Sequence, residues 1–395
     1  MRAAFSHIGS KIWCEGNFLT GSLICAALIG RRVFILAVAV LAAVTVVKRL
    51  RYRHEGLADE SVVFVPETIA ASSDAEFKPP RDYRAAPIAD VSALNDALRR
   101  AIVGQGNAIE ALMVALIAGG HVLLEGPPGL AKTLACRTLA GSIDATFSRI
   151  QCTADLLPAE IVGSEIFDQR DLSFKTRLGP LFANVVLVDE INRAPAQTQA
   201  ALLEALEERQ VSLGGAAHRL PEPFLVLGTM NEIEADGIYS LPAAQVDRFL
   251  LKVLLHFPSR REELEILDRF GGGSAPCVKP AASIETVSGW RGTARTIYCA
   301  PRLMEYMVAL VRATRHRALE GGLEYGAGPR AALAILAGAR AKAMIAGRVY
   351  VLPKDVQSIA CAALRHRVAF ADTFLLDREE RERRLSDIVD GVPLP

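Results

Sequence analysis

The sequence predicts an α/β domain, a parallel sheet covered by helices on both faces, followed by a small all-helical domain. Three observations predict it. Between residues 88 and 270, short apolar runs of strand length alternate with helix-length periodic stretches, and strands buried on both faces of a parallel sheet read as continuous apolar runs. A strand, a glycine-rich loop and a helix follow one another from His121 to Gly141. After "RFGGGSAPCVKPAAS", 269–283, periodicity breaks and only helical patterns follow.

The chain has 395 residues, 51% hydrophobic and 23% charged, which excludes global disorder and leaves room for two or three domains at roughly 150 residues each. Its seven cysteines are odd in number, scattered, and never two residues apart. Neither a disulfide framework nor a zinc site is indicated, and a reducing cytosol is the expected home. Net charge is +1, but residues 1–58 hold 8 Lys/Arg against 2 Asp/Glu, leaving 37 against 42 beyond them. A neutral-to-acidic body argues against nucleic acid as a partner, because phosphate binding needs clustered cations in the globular part.

Residues 1–54 form a hydrophobic and basic extension. Its two apolar runs, Phe18 to Ile29 and Val33 to Val47, are split by Arg31 and Arg32, and neither reaches the roughly 18 residues of a membrane span. Two readings stay open: an extension outside any membrane, or an anchor. In the second, the cluster Lys48, Arg49, Arg51 and Arg53 would hold the body at the inner face of the membrane. Residues 55–87 read as a linker. The segment 88–270 opens with a helix through Leu94, Leu98 and Ile102 and a second near Asn107–Ala118, before strands at "HVLLE", "FSRIQ", "NVVLVDE", "FLVLGTM" and "FLLKVLL". Residues 271–296 are expected to be a linker. Within 297–395, Pro301–Arg315, Arg330–Ala346 and Pro353–Arg367 read as helices, and "REERERRLSDIV" as a solvated last helix.

The loop "GPPGLAKT" is Gly126, Pro127, Pro128, Gly129, Leu130, Ala131, Lys132 and Thr133. Between a strand and a helix it is a phosphate cradle: backbone N–H groups point at the phosphates, Lys132 neutralises the terminal ones, and the Thr133 hydroxyl ligates magnesium. Ala131 stands where glycine is usual, so that position must accept a Cβ. Asp189 and Glu190 end an apolar strand, where open α/β sheets place their ligands. Asp189 suits magnesium and Glu190 suits orienting and polarising an attacking water. Asn231, at the end of the next strand, could hydrogen-bond that water and the γ-phosphate without adding charge. ATP and Mg2+ are the cofactors expected.

The stretch "RLGPLFANVVLVDEINRAPAQTQAALLEALEERQVSLGG", followed by "GTMN", "LPAAQVDRFLL" and "GAGPR", resembles the MoxR family of AAA+ ATPases. The resemblance runs from about Ile88 to Arg367. It implies an AAA+ P-loop fold with a helical lid, and it implies roles. Asn231 is similar to the first sensor, Arg248 of "DRF" to the arginine finger, and Arg330 of "GAGPR" to the second-sensor arginine. Val103, Gly104 and Gln105 resemble the turn beside adenine, although Gly104 could equally cap a helix. Arg193 reads as an inter-subunit charge or a loop salt bridge. "GSEIFDQRDLSFKTRLG" and "VSLGGAAHRLPEPF" look like hairpin insertions facing the pore or substrate.

The resemblance implies an ATP-hydrolysing, chaperone-like remodelling factor. Such a factor works as a homo-oligomer, a hexameric ring, with a partner carrying a von Willebrand factor A domain and a client protein complex. Two alternatives stay open on sequence alone: a magnesium-chelatase-like motor subunit for metal insertion, and a DNA-acting AAA+ ATPase.

Overall fold

The structure, a computed structural model, describes residues 77–80, 83, 91–127, 129–230, 241–272, 279–320, 322–371 and 377–395. The extension 1–54 and most of the linker 55–87 lie outside the described residues, and so do the anchor and extension readings. Among the described residues, no helix is long and apolar enough to cross a membrane.

Helix α1 (Ser92–Ala101) buries Leu94, Ala97, Leu98 and Ala101, one face at helical spacing. Helix α2 (Gly106–Ala118) is apolar nearly all round and is buried from Ala111 to Ile117. Strand β1 (Val122–Glu125) then leads through the glycine-rich loop into α3 (Lys132–Ser142). Next come β2 (Phe147–Gln151), α4 (Pro158–Val162), the antiparallel pair β3 (Gly163–Asp168) and β4 (Ser173–Leu178), and β5 (Val185–Asp189). A single 3-10 turn, Ile191–Arg193, precedes α5 (Ala196–Glu208) and a second antiparallel pair, β6 (Gln210–Leu213) and β7 (Ala216–Arg219). The two stretches read as hairpins are hairpins. Strand β8 (Leu225–Met230), α6 (Ala243–Val246), β9 (Leu251–Leu254) and α7 (Arg260–Phe270) complete this part.

The five strands pair in the order β2-β5-β8-β1-β9, parallel throughout. Successive side chains of a strand point to opposite faces, and here both faces are covered. Val122, Leu124, Val185, Leu187, Leu225 and Leu227 enter one core with α1, α2 and α3. Leu123, Val186, Val188 and Val226 enter a second core with α5. That double burial is why the strands read as unbroken apolar runs.

The segment expected as a linker contains helix α8 (Ile284–Arg295). Ser283 caps it, accepting from the Thr286 N–H, and Val287, Trp290 and Ala294 are buried, so a capped, apolar-striped helix lies where loss of periodicity had suggested a tether. Helices α9 (Pro301–Leu319), α10 (Pro329–Ile345) and α11 (Pro353–Leu364) each carry proline in the first turn, where its missing N–H costs nothing. A short antiparallel pair, β10 (Leu323–Tyr325) and β11 (Ala369–Phe370), accompanies them. The last helix, α12 (Arg378–Asp390), is not solvated all round: Leu385, Ile388 and Val389 are buried, an i, i+3, i+4 stripe inside a charged sequence.

Buried cations seat the helical part on the sheet. Arg367 donates to the Asp247 carboxylate (2.6 Å) and to the carbonyls of Asp247 and Phe249 (2.9 and 2.8 Å). Arg291 of α8 reaches the Leu116 carbonyl (2.9 Å) and Glu222 (2.7 Å). Such largely buried guanidiniums are tolerable because each finds more than one acceptor.

Candidate active site

The carboxyl ends of β1, β5 and β8 lie side by side, and the loop after β1 and the acidic pair after β5 share one cleft. It has a volume of about 420 Å3, and its lining includes Gly129 to Thr133, Asp189 and Glu190. Backbone geometry explains the loop sequence. A Cβ on Gly126 would lie 2.9 Å from the Leu255 carbonyl oxygen, too close for any side chain. Gly129 has φ +84° and nothing within 4 Å of a built Cβ, so its need for glycine is conformational. Ala131 adopts φ 53°, ψ 24° immediately before α3. The left-handed backbone explains why glycine is usual there, and alanine holds it at a cost of about 1–2 kcal/mol. Pro128 lies outside the described residues.

Helix α3 has no side-chain N-cap and no acidic residue in its first turn. Its leading N–H groups therefore face the cleft with the positive end of the helix dipole. Lys132, its first residue, is half-buried, and its ammonium donates to the Gly126 carbonyl at 2.8 Å. Burial lowers the Lys132 pKa, and Asp189, Glu190 and Glu125 oppose that shift. A cation poised among carboxylates in a partly dry cleft suits polyphosphate.

Asp189 accepts from the Thr229 hydroxyl at 2.7 Å and from Arg149 at 2.7 Å. Glu190, left-handed at φ 56°, places its N–H on the same Thr229 hydroxyl (2.9 Å). Its carboxylate accepts from Gln151 (3.3 Å) and pairs with Arg193 (3.2 Å). Arg193 is thus a loop salt bridge within this chain. Arg149, Gln151 and Thr229 escaped the sequence reading. The available signal was polar alternation in "FSRIQ", where a strand facing only core would be apolar.

The donor set bears on what could be held. Among the described residues, no group of three or more His, Cys, Asp or Glu is arranged to hold a metal ion. One hydroxyl and a carboxylate pair beside a phosphate cradle fit Mg2+, which takes few protein oxygens, completes its shell with phosphate and water, and so needs no all-protein cage.

The remaining candidates lie apart from the cleft lining. Val103 is buried, Gly104 has φ +68° against the Glu262 side chain, and Gln105 donates to the His256 carbonyl at 2.7 Å. Arg248 pairs with Glu207 at 2.7 Å. Arg330 pairs with the other oxygen of the same carboxylate and approaches Asp247 at 3.6 Å. The structure thus joins Lys132, Thr133, Asp189 and Glu190 in one place and Arg248 with Arg330 in another. Asn231 lies outside the described residues.

Comparison with known proteins agrees with this architecture. A profile described as "ATPase family associated with various cellular activities (AAA)" matches residues 121–251, and an AAA lid domain profile matches 315–388. Chaperone MoxR1 of Mycobacterium tuberculosis is 43% identical over 75% of this chain and 80% of its own length. Protein MoxR of Paracoccus denitrificans is 30% identical over 76% and 94%. A solved structure of a candidate ATPase from Cytophaga hutchinsonii superposes with a TM-score of 0.71 at 37% identity, covering 77% of this chain and 94% of that one. With a P-loop sheet, a helical lid and relatives of this likeness along most of their length, the chain belongs to the MoxR family of AAA+ ATPases.

Proposed function

We infer that this chain binds Mg-ATP in the cleft and hydrolyses it to ADP and phosphate, and that copies of it, arranged as a hexameric ring, spend the cycle on assembling or activating client protein complexes. The observation that carries the reading is the convergence of Lys132, Thr133, Asp189 and Glu190 on one cleft at the carboxyl edge of the sheet. Lys132 and the N–H groups opening α3 hold and orient the phosphates. Thr133 and Asp189 would hold Mg2+, which supplies charge neutralisation on the phosphate oxygens. Glu190, steadied by Gln151 and Arg193, orients a water and takes up its proton density as the water attacks.

Arg248, paired with Arg330 on Glu207 outside the cleft lining, supports a reading in which it serves the ATP of a neighbouring copy as the arginine finger, while Asn231 acts as the first sensor and Arg330 as the second-sensor arginine. Client action calls for a further chain, such as one with a von Willebrand factor A domain, which the described folds do not include. The chaperone named among the relatives supports the remodelling role, and a cytoplasmic setting follows from the need for ATP. Of the two readings of the extension 1–54, only the anchor would add membrane tethering.

The test separates binding from chemistry. Lys132→Ala should weaken ATP binding by about tenfold or more, the loss of a charge-assisted contact in a partly dry site. Glu190→Gln should bind ATP with nearly unchanged affinity and lose at least about a hundredfold in turnover. Isothermal titration with a steady-state phosphate assay measures both, and wild-type ATP affinity in the lysine variant would remove the cleft from consideration.

A further inference from the structure

Arg149 has no part in the reaction as described, yet it closes the electrostatics of the cleft. It sits two residues before Gln151 on one face of β2, and the register pairs Gln151 with Asp189 and Arg149 with Leu187. From there its guanidinium reaches Asp189 Oδ2 through Nη2 (2.7 Å) and Nε (3.2 Å), and Nη2 also donates to Gln151 Oε1 (2.8 Å). Asp189 Oδ1 takes the Thr229 hydroxyl at 2.7 Å. Both oxygens of the carboxylate assigned to magnesium are therefore engaged by this chain's own donors. Exposure distinguishes the two. The Asp189 side chain is 17% exposed and that of Arg149 47%, so the aspartate is held while its cationic cover borders open cleft.

A guanidinium cannot shed its proton, so Arg149 can be displaced but not neutralised. Among the cleft-lining side chains, Lys132 and Arg149 balance Asp189 and Glu190, and Arg193 adds a further cation beside Glu190. Bare Mg2+ would add charge to a balanced site and would have to expel a cation to reach Asp189. When a triphosphate arrives with the metal, it offers the released guanidinium another anion in the same cleft, in the bidentate form arginine favours. We propose that Arg149 is the resident counter-cation of Asp189, exchanged for Mg2+ on nucleotide entry, and so a positioning residue that makes metal binding conditional on nucleotide. The proposal rests on the cleft being the Mg-ATP site.

The experiment titrates a fluorescent non-hydrolysable ATP analogue into the full chain at a series of free Mg2+ concentrations. Its readout is the Mg2+ concentration at which analogue affinity is half-way tightened. In Arg149→Gln that half-point should fall by about three- to fivefold, the size expected of a half-exposed ion pair. Mn2+ should then also bind measurably without nucleotide. Arg149→Lys, which keeps the charge, should return both toward wild type. An unmoved half-point with affinity lowered at every Mg2+ concentration would make Arg149 a phosphate contact only; an unmoved half-point with a lowered melting temperature would make it a structural pair only. Either result overturns the proposal. If instead the wild-type chain binds no analogue and Lys132→Ala behaves identically, the site reading itself has failed.

Discussion

Two charged clusters in this chain have opposite designs. In the cleft, Lys132 and Arg149 face Asp189 and Glu190 around about 420 Å3 of open space, so charge is balanced but room is left for a ligand. At the end of α5, Arg248 and Arg330 share the single carboxylate of Glu207, with Asp247 beside them bonded to Arg367. There Arg248 and Arg330 lie against carboxylates at the surface, outside the lining of that cleft. One cluster surrounds open space, whereas the other closes its cations onto carboxylates outside the cleft lining. The difference teaches that the proposed function needs a second copy to carry Arg248 to the cleft.

The largest expected effect breaks that comparison directly. Arg248→Ala should bind ATP normally and hydrolyse it roughly a thousandfold more slowly, because an arginine supplied in trans acts on transition-state charge more than on ground-state binding. Its ion pair with Glu207 is partly exposed, so stability should move by no more than about 1 kcal/mol. Mixing Arg248→Ala with Lys132→Ala should restore part of the activity, since an intact cradle on one copy can then meet an intact arginine on the next. Strict additivity of the two nearly inactive chains, with subunit exchange verified, would return Arg248 to a surface role.

The two clusters were also unequally legible in the sequence. The cradle is contiguous, and its need for N–H groups, an amine and a hydroxyl at fixed spacing follows from local geometry, so Gly126 to Thr133 could be read from eight letters. Asp189 and Glu190 were readable because an apolar strand has to end where its side chains meet the ligand edge. Glu207 was invisible: in "LLEALEERQ" it is one of three glutamates on a helix, and only packing decides which of them meets Arg248 and Arg330. Arg149 was hidden for a related reason, because strand register, not spacing along the chain, sets it against Asp189. In the fold, strands carried their own signature, whereas α8 was missed. Its apolar positions Val287 and Trp290 lie among Gly, Ser and Thr that dilute the helical pattern.

Acid provides a second, smaller contrast, between the charged edge of the sheet and its opposite end. His121, just before β1, is fully buried. It donates to the Leu206 carbonyl (3.2 Å) and accepts the Val226 N–H (3.0 Å), an arrangement that needs the neutral ring. Burial, with Arg209 nearby, lowers its pKa to about 3, and His366 is shifted in the same direction for the same first reason. A depressed pKa gives stability that is complete above pH 6.5 and is lost as pH falls toward 3, at about 1.4 kcal/mol per pH unit for each such group. Urea unfolding at pH 8.0, 7.0, 5.5 and 4.5 should therefore show little change above 6.5 and a steep loss below it. ATPase activity that disappears over this interval while unfolding free energy stays constant would assign the acid sensitivity to the cleft instead.

The smallest effect concerns the strain inside the cradle itself. Ala131 pays for a left-handed backbone that glycine adopts freely, and the methyl is exposed, so replacing it removes no core packing. Against the relief of about 1–2 kcal/mol stands glycine's greater loss of freedom on folding, about 0.5–1 kcal/mol. Ala131→Gly should therefore be stabilising by at most about 1.5 kcal/mol, and ATP affinity should change by less than about threefold because the N–H groups keep their places. Ala131→Val is the informative partner: a β-branched side chain at φ 53° is a genuine outlier, so it should lower both melting temperature and ATP affinity, while Arg248→Ala leaves ATP affinity unchanged. If valine leaves ATP affinity intact, the loop tolerates backbone rearrangement, and the pre-formed cradle would no longer distinguish this region from the arginine cluster.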